Sequence, residues 1–316
     1  ISEGLMQRNM QMKQLATSNF ISYTLGYGVV AVTLGYHNYG VWAIIYGSIS
    51  QTIVKGIIVS IYQPHSYRPY FNKKDYYELL HYGGGFTIAR FANYFAGQGD
   101  NIVAGKYLGA YALGIYSRAF GIMVKPVNLI GTAIDKVLFP AMASRQDDRE
   151  KLISVFLKGS QLMHSVALPV GLMIAIAAKD IIVVLLGKTW LEVTVPLQIL
   201  SVGLLFKMSY KMGDSLARST GLIYKRALRQ IVFAISMVVF SYCGHFYGIN
   251  GIAVGSFCSI LLNYIMMMDL SLKYLKISWS KFVKSSYDNL IFSILISGMY
   301  FLILLLLRHI IESSIL

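Results

Sequence analysis

Lys207, Lys211, Asp214 and Arg218 punctuate an otherwise apolar stretch at steps of four, three and four. That spacing puts all four on one face of a helix. Three positive charges against one negative leave a surplus. An ionisable group inside an apolar helix is costly unless it meets water, a partner or a ligand. The chemistry such a face can do is to hold an anion. The competing reading is a self-neutralised stripe, with Asp214 paired to Lys211 or Arg218 and the ends reaching for lipid headgroups. Lys207 sits near the middle of the stretch, too deep for that escape.

Two more apolar stretches carry charge. In residues 83–105, Arg90, Asn93, Gly97 and Asp100 share one narrow helical sector, while Phe86, Ile88, Phe91, Phe95, Ile102 and Val103 fill the rest. Either Arg90 and Asp100 neutralise each other along the helix, or this is a wet face where Asp100 takes a proton or another cation. In residues 115–139, Arg118, Lys125 and Lys136 are seven and eleven apart and return to nearly one face. Lys125, beside Pro126, is the informative one; Asp135 is read as neutralising Lys136. His164 is read as a hydrogen-bonded interior residue, and Cys243 and Cys258 as small buried hydrophobes without ligand spacing. No GxxxxGK[ST], HExxH or GxSxG occurs, so neither nucleotide nor hydrolytic chemistry is expected, and no enzyme or cofactor. The Gly83–Gly85 run lacks the phosphate-loop lysine and reads as a packing or hinge element.

These residues must be positioned by membrane helices. Of 316 residues 56% are hydrophobic and only 13% charged, with a net charge of +14; a soluble domain carries about 25% charged residues. Nine stretches are long enough to cross a bilayer: 15–35, 40–61, 83–105, 115–139, 154–178, 195–217, 227–244, 251–272 and 287–307. If each crosses, seventeen of the 28 cations fall on one side and four on the other, with seven inside helices. The positive-inside rule makes the richer side cytoplasmic. Those cations are scattered over five loops, which argues against a nucleic-acid partner. The opposite loops are short and leave no room for a catalytic domain. One of them, Asp180–Leu186 followed by Gly187-Lys188-Thr189-Trp190, reads as an interfacial helix with an aromatic anchor.

An internal repeat joins distant helices. At an offset of 208, Tyr39, Gly40, Ile44, Gly47 and Ser48 match Tyr247, Gly248, Ile252, Gly255 and Ser256, five identities in ten positions. The pair 15–61 therefore reads as a parallel copy of 227–272. Two parallel halves around a central site is a transporter architecture.

Three segments then carry a family resemblance: Asp100 to Phe120, with Asp-Asn-Ile-Val-Ala-Gly-Lys-Tyr-Leu-Gly and Leu-Gly-Ile-Tyr-Ser-Arg-Ala-Phe; Val137 to Asp148; and Leu186 to Leu197. They resemble the polysaccharide flippases of the Wzx type. The resemblance implies an all-α polytopic bundle of about nine helices, a MATE-like two-lobe exporter lacking most of its first lobe. Residues 1–62 would be the last two helices of that lobe, 63–82 a linker, 83–275 a six-helix second lobe and 276–316 an additional helix. The start at Ile1, without Met, fits that expectation. The implied function is translocation of undecaprenyl-pyrophosphate-linked oligosaccharide across the bacterial cytoplasmic membrane by alternating access. Arg90, Lys125, Lys207 and Lys211 would form a cationic lumen, and Asp100 and Asp214 would couple ions. Implied partners are the lipid-linked substrate, the bilayer and polymerase or chain-length machinery. Two rivals are a multidrug exporter, whose cationic substrates would want an acidic lumen, and a membrane polymerase or glycosyltransferase, which would need a large outer loop.

Overall fold

The chain divides into two compact units, Ile1–Glu78 and Leu79–Leu316. The computed structural model describes residues 2–8, 11–64, 94, 95 and 97–315. Among these there is no strand. The described part of the first unit holds α1 (Ser2–Arg8), α2 (Met12–Ile21), a π-helical segment Ser22–Val29, α3 (Val30–Tyr36) and α4 (Val41–Tyr62). The second holds α5 (97–103), a π turn Ala104–Leu108, α6 (Gly109–Ala143), α7 (Arg149–Ile176), α8 (Ala178–Leu185), a 3-10 turn Lys188–Val193, α9 (Thr194–Val202), α10 (Leu204–Ser219), α11 (Ile223–Gly244), α12 (Gly248–Leu275) and α13 (Trp279–Ile315).

The described residues of the expected spans are helical apart from turns at Gly40, Ala177 and Gly203. Among the described residues, four helical runs are long and apolar enough to cross a bilayer: Val41–Tyr62, Arg149–Ile176, Lys188–Ser219 and Tyr224–Leu275. The last has 52 residues, about 78 Å of helix at 1.5 Å per residue, which is two crossings folded back on each other. A bent pair, Trp279–Tyr287 with Ile291–Ile303, brings the number to five. The protein is therefore a multi-pass membrane protein. Arg118 and Lys125 lower the apolar character of the 35-residue α6, which is not among those runs. The span expected at 195–217 is broken at Gly203 into α9 and α10. The helices continue through Pro126, Pro140 and Pro169.

Glycines set how closely helices approach. In the first unit, a Cβ on Gly26 would fall 2.6 Å from Gln51 Cα, and one on Gly47 would fall 2.9 Å from Ala31 Cβ. In the second unit, one on Gly244 would collide with Gly251 O and one on Gly255 with Phe240 O. Contacts that move up one helix as they move down the other mark antiparallel hairpins in both units. Gly47 and Gly255 are 208 residues apart, as are Gly40 (φ +53°) and Gly248 (φ +70°), which open α4 and α12. Only glycine adopts that backbone without strain. The repeated sequence thus specifies the same turn and the same close crossing twice.

Hydroxyl groups in α4 are absorbed locally: Ser48 donates to Ile44 O and Thr52 to Ser48 O, both at 2.9 Å. Back-bonding of this kind lets a polar residue sit in an apolar helix. The core of the second unit joins Met123 and Val127 of α6, Phe156 and Met163 of α7, Leu200 of α9, Met208 and Met212 of α10, and Ile252 of α12. α13 docks on α7, where His164 Nδ1 lies 3.0 Å from Ser286 Oγ and Gln161 donates to Ser285 O at 2.5 Å. His164 is thus a hydrogen-bonded interior residue. Contrary to expectation, Cys243 and Cys258 are both exposed, since their sides of α11 and α12 face away from the core.

Candidate functional site

The charged face of α10 is turned toward α6. Lys207 Nζ lies 4.4 Å from the centre of the Phe120 ring, Lys211 Nζ donates to Val127 O at 3.1 Å, and Arg218 Nη2 reaches both oxygens of Asp135 at 2.7 and 2.8 Å. Both helices are climbed in the same direction through these contacts, so α6 and α10 run parallel. The opposite side of α10 supplies Met208, Met212 and Leu216 to the core, and this division fixes its rotation. Gly131 of α6 gives the Lys211 stem its room: a Cβ there would lie 2.9 Å from Lys211 Nζ.

The stripe changes character along its length. At one end Asp214 is engaged by two guanidinium groups, Arg218 Nε at 3.0 Å and Arg226 Nε at 2.5 Å. Arg218 also lies over the Phe139 ring, 4.9 Å from its centre. This ties α6, α10 and α11 together. The expected partner of Asp135 was Lys136; the structure gives Arg218. Asp269 pairs with Lys273 at 2.9 Å and Arg229 at 4.0 Å. At the other end Lys207 is only part-exposed. Among the described residues no oxygen accepts a hydrogen bond from its ammonium. A lysine at membrane depth with three free donors is poised for an anion.

Asp100 of α5 is fully buried. Its Oδ1 accepts from the Asn101 amide at 2.8 Å, and its Oδ2 from the Tyr116 hydroxyl at 2.6 Å. Tyr116 in turn lies 2.8 Å from Ser256 Oγ. Ser256 is 3.5 Å from Asp100 Oδ2 and 3.4 Å from Ser241 Oγ. Helices α5, α6, α11 and α12 therefore converge on one carboxyl group. Gly99 makes this possible: a Cβ there would sit 2.8 Å from Val238 of α11. Lys207 reaches the edge of this network through Phe120, whose ring centre lies 6.1 Å from that of Tyr116.

Lys125 lies on the exposed side of α6 with Arg118 and Leu129. Arg118 is over the Trp190 ring at 5.9 Å. Arg90 lies outside the described residues. Of the expected site, the structure thus brings Lys207, Lys211, Asp214 and Asp100 around the interior of one unit and places Lys125 on its surface. Tyr116, Ser256, Ser241 and Phe120 were missed as site residues. Tyr116 and Phe120 stood in the family-like segment and Ser256 in the repeat, but neither signal says which carboxylate or ammonium they touch.

A family profile described as "polysaccharide biosynthesis protein" matches residues 1–195. The amylovoran biosynthesis protein AmsL of Erwinia amylovora is 28% identical over 205 residues, covering 64% of this chain and 52% of that protein. The lipopolysaccharide biosynthesis protein WzxC of Escherichia coli K12 is 26% identical over 216 residues, covering 67% of this chain and 44% of that one. The chain thus spans about half the length of these relatives. In fold it is similar to the lipid II flippase MurJ in an inward closed conformation, with a TM-score of 0.70 and 15% identity, covering 98% of this chain and 71% of that one.

Proposed function

The chain belongs to the polysaccharide biosynthesis protein family, and from that premise we propose that the protein flips a lipid-linked oligosaccharide across the bacterial cytoplasmic membrane. The substrate is an undecaprenyl-pyrophosphate-linked repeat unit, moved by alternating access without making or breaking a covalent bond. The observation that carries this reading is the α10 face: a lysine with unengaged donors, Lys207, and a second half-buried lysine, Lys211, at membrane depth in a bundle otherwise built of apolar helices. Such charges suit a pyrophosphate or an acidic sugar while the prenyl chain stays in lipid. Names given to the relatives, amylovoran and lipopolysaccharide biosynthesis, and the flippase fold of MurJ support the same class of cargo.

Within that function Lys207 and Lys211, with Lys125 and Arg90, make the cationic set. Asp100 couples ion movement to transport. Asp214, held by Arg218 and Arg226, does so only through the clamp it forms. The likeness in fold further suggests that residues 1–62 and 83–275 belong to successive lobes, joined by 63–82, with 276–316 as an added helix. Polymerase and chain-length machinery are the expected downstream partners. The test is genetic: cells deleted for the full-length gene should accumulate lipid-linked repeat units on the inner leaflet and lose surface polysaccharide, and the wild-type gene should restore both. Normal polysaccharide in the deleted strain, with no second flippase gene present, would refute the function.

A further inference from the structure

From Leu270 to Tyr287 the chain holds Lys273, Lys276, Lys281 and Lys284 and no aspartate or glutamate. Lys273 is paired with Asp269 at 2.9 Å. Lys276, Lys281 and Lys284 are exposed, and none makes an ion pair among the described residues. The first turns of α13 have three faces. Phe282 and Ser286 are buried against α7, at Phe156 and His164. Trp279, Val283 and Tyr287, four apart and so on one stripe, are 38%, 52% and 57% exposed. Lys281 and Lys284, three apart, occupy a third stripe. The apolar stripe would be costly in water, and it lies where spans meet the surface: α12 ends at Leu275, and the apolar run Ile291–Ile303 is bent by 43° from Trp279–Tyr287. An apolar stripe with an aromatic anchor beside a row of lysines is the pattern of a helix lying in the lipid interface. Lys276 adds a second, independent sign. It closes α12 in a left-handed conformation (φ +49°), with the Ile277 amide donating to Leu272 O at 2.9 Å. Glycine fits that position and a lysine is strained there, so what the lysine supplies is charge.

We propose that the corner between α12 and α13 binds an anionic phospholipid, with Lys276, Lys281 and Lys284 holding its headgroup and Trp279, Val283 and Tyr287 lying against its acyl chains. The site goes beyond the flippase reading and does not rest on it. A zwitterionic lipid carries its own ammonium beside the phosphate and gains less from three unpaired lysines. The aromatic anchor is held in place from within: the Trp279 ring stands edge-on to buried Phe282, with 6.1 Å between centres, and its other side is open. Since Phe282 and Ser286 dock on α7, a lipid bound on the two outer stripes braces α13 against α7 without entering the core. The strain at position 276 has a use here, because a glycine would close α12 equally well but present no charge to the headgroup.

The test uses Trp279 fluorescence in the full-length protein, every other tryptophan changed to phenylalanine, in nanodiscs of phosphatidylethanolamine with a minor share of phosphatidylglycerol. Bromine is placed on the chains of the phosphatidylglycerol in one sample and of an equal share of the phosphatidylethanolamine in the other. Brominated phosphatidylglycerol should quench Trp279 as though enriched about fivefold or more around it, and added salt should reduce the preference. Lys281→Gln with Lys284→Gln should abolish the preference, and the paired arginine substitutions should keep it. Lys225→Gln, on the surface of α11, should leave it unchanged. Lys276→Gly should lower it while the melting temperature holds or rises, a split that a merely structural lysine would not give. Where the single-tryptophan protein does not fold, native mass spectrometry of the unaltered protein counts retained phosphatidylglycerol across the same lysine variants. Equal quenching by the two lipids, quenching by neither, or an unchanged preference in the double glutamine variant would overturn the site. So would displacement by soluble glycerol phosphate, which would assign the lysines to a free phosphate rather than a lipid.

Discussion

Tyr116 carries more of the site than its type suggests. Its hydroxyl is fully buried and donates to the carboxylate on which four helices converge. Tyr116→Phe removes that donor while keeping the ring, leaving a buried carboxylate short of a partner at a cost of about 1–3 kcal/mol. The variant is expected to melt earlier than the wild type in detergent, and an unchanged melting temperature would show that the bond is not formed. A second prediction concerns the loop before α7. Asp148 caps the helix by accepting from the Lys151 amide at 3.1 Å, and pairs with the Lys151 ammonium at 2.7 Å. Lys151 thereby holds the Asp148 carboxyl below its ordinary value of 3.8. A depressed value means that the cap is complete above the ordinary one and is lost as pH falls through the lowered one. Protection of the Lys151 amide against exchange, corrected for the intrinsic rate, should therefore fall only below about pH 4. Loss of protection near neutral pH would contradict the cap. At this scale the charged face of α10 and the placement of Asp100 within a helix were legible, because helical spacing and cost of burial are local properties. Their partners were not: Tyr116 and Ser256 stand 16 and 156 residues from Asp100, and no sequence period connects them.

The helices were legible from apolar length, and the α11–α12 hairpin from its likeness to the one around Gly47. The break at Gly203 was not, since a glycine inside an apolar run is as often tolerated as broken. Nor was the π segment at Ser22–Val29, within which Gly26 lies close against the Gln51 backbone. The close crossing makes a sharp prediction. Gly255→Leu drives a side chain into the Phe240 carbonyl and should cost about 3 kcal/mol or more by overpacking, seen as loss of monodisperse protein. Gly121→Ala meets nothing within 4 Å and should be tolerated. Equal behaviour of the two variants would show that α11 and α12 do not cross there. The same contrast holds at the added helix: Phe282 of α13 is buried against Phe156 and His164, so Phe282→Ala should release α13 from α7 and expose it to protease, whereas retained protection would count against the docking.

For the molecule as a whole, the +14 charge resolves into two parts with different work. Most cations lie between the expected spans and are expected to fix orientation; the few inside helices are proposed to meet the cargo. Single cysteines at Lys225 and Lys188, in a protein lacking Cys243 and Cys258, test the first part. An impermeant maleimide should label position 188 in intact spheroplasts and position 225 only after permeabilisation; the reverse pattern would invert the topology. The second part is the central claim, and translocation of undecaprenyl-pyrophosphate-linked oligosaccharide by the full-length protein in proteoliposomes tests it most directly. The account predicts that wild-type protein moves the lipid to the opposite leaflet and that Lys207→Gln with Lys211→Gln slows this about tenfold or more. Transport by the double variant at the wild-type rate, with the protein folded and inserted, would contradict it.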